Sequence, residues 1–230
     1  MEEQVGALWH RLITRLADNN FPQAGVGLAE VEKTVAVFFR ALGGDGGLQI
    51  SNAEQIENRA RRSWLQRIAG SQEKISLAWR DDDFLRLPAH IDCLPDARLN
   101  RDLYLWLAAL AVAPVSPDTD WFVLNQQRTK ATLQRWPGLT ARYRWLVAAH
   151  LDIRPAPATL RKDEAAAEQA IRAALQVPGS VDQLPAARRP PAPVPLWLHP
   201  RPPLQASGVA APDPQTAERD ADGQQRELER

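Results

Sequence analysis

One cysteine, Cys93, stands in a chain of 230 residues. That excludes an internal disulfide framework and fits a reducing compartment. Excess charge of either sign is missing too. Lys plus Arg and Asp plus Glu number 28 each, so nothing global draws the chain toward nucleic acid or an anionic membrane. The longest apolar run, Leu103 to Val115, stops short of the ~18 residues that a membrane span needs. The opening Met1-Glu2-Glu3 turns amphipathic at once and lacks the pattern of a signal peptide. A soluble cytoplasmic protein with no nucleic-acid or membrane partner is the expectation.

Motifs that carry chemistry are equally scarce. There is no Gly-x-Ser-x-Gly elbow and no recognisable acid/base carboxylate pair. His10, His90, His150 and His199 are scattered, and Cys93 has no cysteine partner for a metal site. His90 and Asp92 share one face of an expected strand, but a usual metal site needs at least one more ligand. Asp81-Asp82-Asp83 lacks the spacing of a calcium loop and reads as a charged hairpin turn. Gly25-Val26-Gly27 before Glu30 follows a turn rather than a strand and lacks the third small residue of a dinucleotide fingerprint. Gly43-Gly44-Asp45-Gly46-Gly47 is followed by no Lys-Ser or Lys-Thr, so it reads as a helix stop and loop. The expectation is no catalytic, cofactor-binding or metal-binding residue, and hence no enzyme. A metal-dependent enzyme with an unrecognised site near His90, Asp92 and Asp81–Asp83 is kept as an alternative.

What the chain does have is helical periodicity. Val5, Leu8, Trp9, Leu12, Ile13 and Leu16 form a first stripe, and Leu28, Val31, Val35, Phe38, Phe39 and Leu42 a second, closed by Gly43-Gly44. Residues 52–69 give a third, more polar helix with Ile56, Ala60, Trp64, Leu65 and Ile68 inward. Then the period drops to two. Ile75, Leu77 and Trp79, followed by Leu85 and Leu87, predict a β-hairpin around Asp81–Asp83, with Leu48 and Ile50 as a third strand. Beyond Asp96, an expected N-cap, a helix through Leu99, Leu103, Trp106, Leu107 and Leu110 is apolar nearly all round and is therefore the central core helix. Three more follow: one through Trp121, Phe122, Leu124 and Leu133, one through Tyr143, Leu146, Val147 and Leu151, and one from Leu160 to Leu175. The fold class predicted is mainly α, about seven helices with a small β-hairpin or three-stranded antiparallel sheet, followed by a Pro-rich extended tail.

Composition divides the chain near Val177. Residues 1–176 predict a helical N-terminal domain. Residues 177–230, dense in proline and ending in mixed charge, predict an extended or disordered linker that leads to something longer. Within it, Pro193-Val194-Pro195-Leu196-Trp197-Leu198-His199-Pro200 sets a Trp between leucines in a proline frame. Trp197 either folds back onto the domain, the preferred reading, or anchors a partner in polyproline fashion. Arg59, Arg61, Arg62 and Arg67 cluster on the third helix, and every charge between Asp120 and Asp152 is positive: Arg128, Lys130, Arg135, Arg142 and Arg144. Such a face docks an acidic partner or is simply a solvated exterior. The candidate partner-binding residues are Arg59, Arg61, Arg62, Arg67 and Trp197.

Three stretches also carry a family likeness. Leu8-Trp9-His10-Arg11-Leu12-Ile13-Thr14-Arg15, Arg61-Arg62-Ser63-Trp64-Leu65-Gln66-Arg67-Ile68-Ala69-Gly70 and Leu99-Asn100-Arg101-Asp102-Leu103-Tyr104-Leu105-Trp106-Leu107-Ala108-Ala109-Leu110 resemble the N-terminal region of the CbbO family. These are the adaptor subunits of the CbbQO-type Rubisco activases, and the NorD-type nitric oxide reductase activation proteins share their plan. The resemblance implies a C-terminal von Willebrand factor A domain, whose Asp-x-Ser-x-Ser metal pattern does not occur in this chain. It also implies a partner AAA+ ATPase hexamer of the MoxR group, CbbQ, which supplies ATP hydrolysis. The full adaptor would link that motor to Rubisco and help expel inhibitory sugar phosphates, at a cytoplasmic or carboxysome-associated location. For the NorD relatives the client would be nitric oxide reductase. This chain would then be the non-catalytic docking domain.

Overall fold

The computed structural model describes residues 20–53, 77–114, 120–189 and 191–199. Helix α1, Leu28–Ala41, buries Leu28, Val31, Val35 and Phe39, the 3–4 spacing of one helical stripe. At its start Glu30 Oε1 accepts the Gly27 N–H at 2.9 Å, so the first turn is closed by its own carboxylate. At its end Gly43 takes φ 88°, its N–H bonds Arg40 O at 2.9 Å, and the Gly44 N–H bonds Phe39 O at 2.9 Å. That is a Schellman closure, and only glycine takes the left-handed position without strain.

Helix α2, Ala97–Val112, is capped by Asp96, whose side chain accepts the Arg98 N–H, and buries Leu103, Tyr104 and an unbroken run from Trp106 to Ala111. It packs on α1, on the two helices that follow it and on the sheet, as its all-round apolar surface requires. Helix α3, Trp121–Arg135, is capped by Asp120. A Pro137–Leu139 turn leads to α4, Thr140–Ile153, and a Pro157–Thr159 turn to α5, Lys162–Gln176. These five are the α-helices among the described residues. They match five of the seven expected; of the other two, residues 5–16 and 54–69 lie outside the described residues, while Asn52, the expected start of the third helix, belongs to a strand.

Two small sheets complete the body. The hairpin forms as expected: β3, Trp79–Arg80, and β4, Phe84–Leu87, are antiparallel. They are joined at Asp81, whose Oδ1 accepts the N–H groups of Asp83 (3.0 Å) and Phe84 (2.6 Å). The third strand, β2 at Gln49–Asn52, pairs with β4 but runs parallel to it, Gln49 opposite Phe84 and Asn52 opposite Leu87. The sheet is therefore mixed, not antiparallel. Alternating residues fix which face of a strand is buried; they carry no information on direction. A separate two-residue pairing joins β1, Val26–Gly27, to β5, His90–Ile91. No helix among the described residues is long and apolar enough to cross a membrane.

The largest departure from the sequence reading lies beyond Val177, where an extended linker was expected. Instead the packed body continues to residue 199; residues 200–230 of the expected tail lie outside the described residues. Val181 and Leu184 rest against the core, and Val194, Leu196, Trp197 and Leu198 are buried in the same hydrophobic cluster as Trp106 and Phe122. The strap formed by residues 191–199 is thus part of the domain.

Candidate functional site

The strap is held by side chains that read its backbone. Trp106 Nε1 donates to Leu196 O at 2.9 Å, and Trp121 Nε1 to Leu198 O at 2.8 Å. Asn125 grips Leu198 from both sides: Nδ2 donates to its carbonyl and Oδ1 accepts its N–H, each at 3.0 Å. The His199 N–H reaches Ala78 O at 2.8 Å. Trp197 fills the space between, edge-on to Trp121 and Phe122 with ring centroids 5.6 Å away in each case. Of the two readings of Trp197, the structure shows fold-back. At 1% exposure its ring offers no surface to a partner in this conformation.

A buried charged cluster ties α4, α5 and the strap together. Glu168 takes two bonds from Arg154, Nε at 2.8 Å and Nη2 at 2.7 Å, and a third from Arg172 Nε at 3.0 Å. Arg154 Nη2 and Nη1 also donate to the strap carbonyls of Ala192 (3.1 Å) and Pro193 (3.3 Å). His150 Nε2 lies 3.1 Å from Arg154 Nη1. Arginine only donates, so that nitrogen accepts and the ring is neutral. Burial first, then the charges of Arg154 and Arg172, hold His150 well below the ordinary histidine range, which keeps it so. The cluster has the inventory of a catalytic centre, yet its charges are spent on one another and on backbone carbonyls. Its geometry is that of a structural tie.

The residues weighed for metal chemistry are not brought together into a site. His90 is exposed on β5, and its ring tip lies where a side chain at position 25 would begin. Asp81 is occupied in its turn. Among the described residues no group of three or more His, Cys, Asp or Glu is placed to hold a metal ion. The Cys93 thiol is pushed up to about 12 by burial, with the charge of Asp92 adding, so it stays protonated and a poor nucleophile at neutral pH.

Arg59, Arg61, Arg62 and Arg67 lie outside the described residues. The second basic group, between Asp120 and Asp152, is resolved into different fates. Arg142 pairs with Asp102 at 2.9 Å. Arg128 is half-buried, and burial together with neighbouring Arg80 lowers it to about 10. Lys130, Arg135 and Arg144 face solvent. Sequence reasoning missed the buried polar residues Asn100, Asn125, Gln126 and Glu168. Of these Glu168 left a signal, since it sits on the inner stripe of α5 with Ala167, Ile171 and Leu175.

No family model and no solved structure matches the chain. Curated relatives do. A protein named NorD from Stutzerimonas stutzeri is 43% identical over 200 residues, which cover 87% of this chain and 32% of that protein. An uncharacterized protein of Pseudomonas aeruginosa is 44% identical over 200 residues, with the same coverage of 87% and 32%. A protein named NorD from Brucella abortus is 34% identical over 219 residues, covering 86% of this chain and 34% of its own length. The chain spans about a third of the length of these relatives. Over most of its length it is a homologue of proteins named NorD.

Proposed function

We propose that this chain is a non-catalytic, cytoplasmic accessory domain of the NorD type, which acts by docking to a MoxR-group AAA+ ATPase ring. The observation that carries the reading is the 43% identity to a NorD protein across 200 residues. The structure supports it in one respect: the polar groups buried in the described body serve to lock helices and strap together, as Arg154 and Glu168 do. That leaves the outer helix faces as the working surface. Of the two clients that the family likeness offered, the NorD-named relatives favour nitric oxide reductase over Rubisco. Removal of inhibitory sugar phosphates from Rubisco remains the second reading.

The docking step has a direct test. The chain is mixed with the MoxR-group ATPase hexamer and run on size-exclusion chromatography, with the full-length adaptor as positive control. The chain is expected to elute with the ring and to hydrolyse no ATP by itself. Separate elution, with the control bound, sinks the docking role. ATP hydrolysis by the purified chain sinks the non-catalytic one.

A further inference from the structure

We infer that the groove under the strap is also an intermolecular site, which a second copy of this chain fills by exchanging straps. Residues 191–199 belong to no helix or strand. Body side chains seat them by bonding their main chain: Trp106 at Leu196, Trp121 and Asn125 at Leu198, and Arg154 at Ala192 and Pro193. Bonds of this kind recognise a segment by its backbone and register, as peptide-binding grooves do. They are blind to which molecule the segment belongs to. The strap also carries its own local order. The Trp197 N–H bonds Val194 O at 3.2 Å, and His199 Nε2 donates to the same oxygen at 2.9 Å. A segment with such internal ties and three prolines, Pro191, Pro193 and Pro195, has little freedom left to lose when it enters a groove.

The occupant seen in the groove names the partner. The identical segment of a second copy makes every one of the same bonds, so exchange alters only the path of the connecting chain. That chain suits a crossing. Pro185–Arg189 lies between Leu184, which packs on the body, and the strap, and it belongs to no helix or strand. Ala186, Arg188 and Arg189 within it are exposed. Prolines at 185, 190 and 191 make the connector a semi-rigid spacer, which lowers the entropy lost in holding a strap on a neighbouring body. Residues 191–199 contain no Asp, Glu, Lys or Arg, so a strap moves from one body to the other without stripping water from a charge.

The test is complementation between two variants of the full chain. Trp197→Ala spoils the strap and leaves the groove, whereas Asn125→Ala spoils the groove and leaves the strap. Each alone is expected to be monomeric with a lowered melting midpoint. Refolded together from urea, they can pair the intact strap with the intact groove. The mixture is then expected to show a dimer in light scattering and a melting transition at least ~5 °C above that of either variant. Should Asn125→Ala not fold, Trp121→Phe, which keeps a ring but drops the donor to Leu198 O, takes its place. Wild type refolded at ~1 mM, near the effective concentration that a short linker gives the cis strap, is expected to yield a dimer that refolding at ~1 μM does not. A mixture with no dimer, melting as the separate variants do, overturns the exchange and leaves the strap a purely internal element. A dimer that Trp197→Ala forms as well as wild type also overturns it, because another surface would then join the copies.

Discussion

Replacing Trp197 by alanine is expected to lower the unfolding free energy by roughly 3–5 kcal/mol, the range for deleting a buried tryptophan. The residue lies in a segment whose composition reads as linker, so a linker account predicts no change. The structure predicts a large one because the ring is 1% exposed and edge-packed on Trp121 and Phe122. Its loss also loosens the register of the strap, and with it the acceptors at Leu196 and Leu198 for Trp106, Trp121 and Asn125. Urea unfolding followed by fluorescence measures the effect. A midpoint equal to wild type would place the strap outside the folded unit. Trp197→Phe, which keeps an aromatic ring but a smaller one, should fall between the two.

The second large effect belongs to the charged cluster. Arg154→Met is expected to destabilise by about 3–5 kcal/mol, because it leaves the Glu168 carboxylate buried with only Arg172 to answer it. The side chains of Arg154 and Glu168 are 2% and 1% exposed, so water cannot replace the lost partner without local opening. The two strap carbonyls at Ala192 and Pro193 lose their donor as well. The double variant Arg154→Met/Glu168→Leu removes both charges together and should recover part of the loss. Chemical denaturation of wild type, both single variants and the double variant closes a cycle that isolates the pair. A double variant whose loss equals the sum of the two single losses would show that the pair is not coupled, against the geometry.

These two predictions mark the boundary of what periodicity can reveal. The helices from α1 to α5 were legible because 3.6-residue stripes such as Leu28-Val31-Val35-Phe39 depend only on neighbours in sequence. Caps were legible for the same reason; Asp96 and the Gly43-Gly44 stop act within a few residues of themselves. The strap was not. Its prolines forbid both helix and ladder, so no period marks it, and its order comes from side chains 70 to 90 positions away, such as Trp106 and Asn125. The direction of β2 was hidden likewise, because alternation is the same read either way. As for the candidate site, Trp197 was picked out by its odd setting and proved to be core. The arginines at 59, 61, 62 and 67 lie outside the described residues.

On the proposed reading the domain works by recognition rather than by catalysis. Its most direct test is made in cells of the source organism from which the coding region of this chain has been deleted. Nitric oxide consumption is measured against the parent strain, with the amount of reductase protein measured alongside. The account predicts that the reductase accumulates but that its turnover is lost, and that both are normal when the coding region is restored. Nitric oxide consumption equal to that of the parent would contradict the account, and a loss of Rubisco carboxylation in its place would move the client from the reductase to Rubisco.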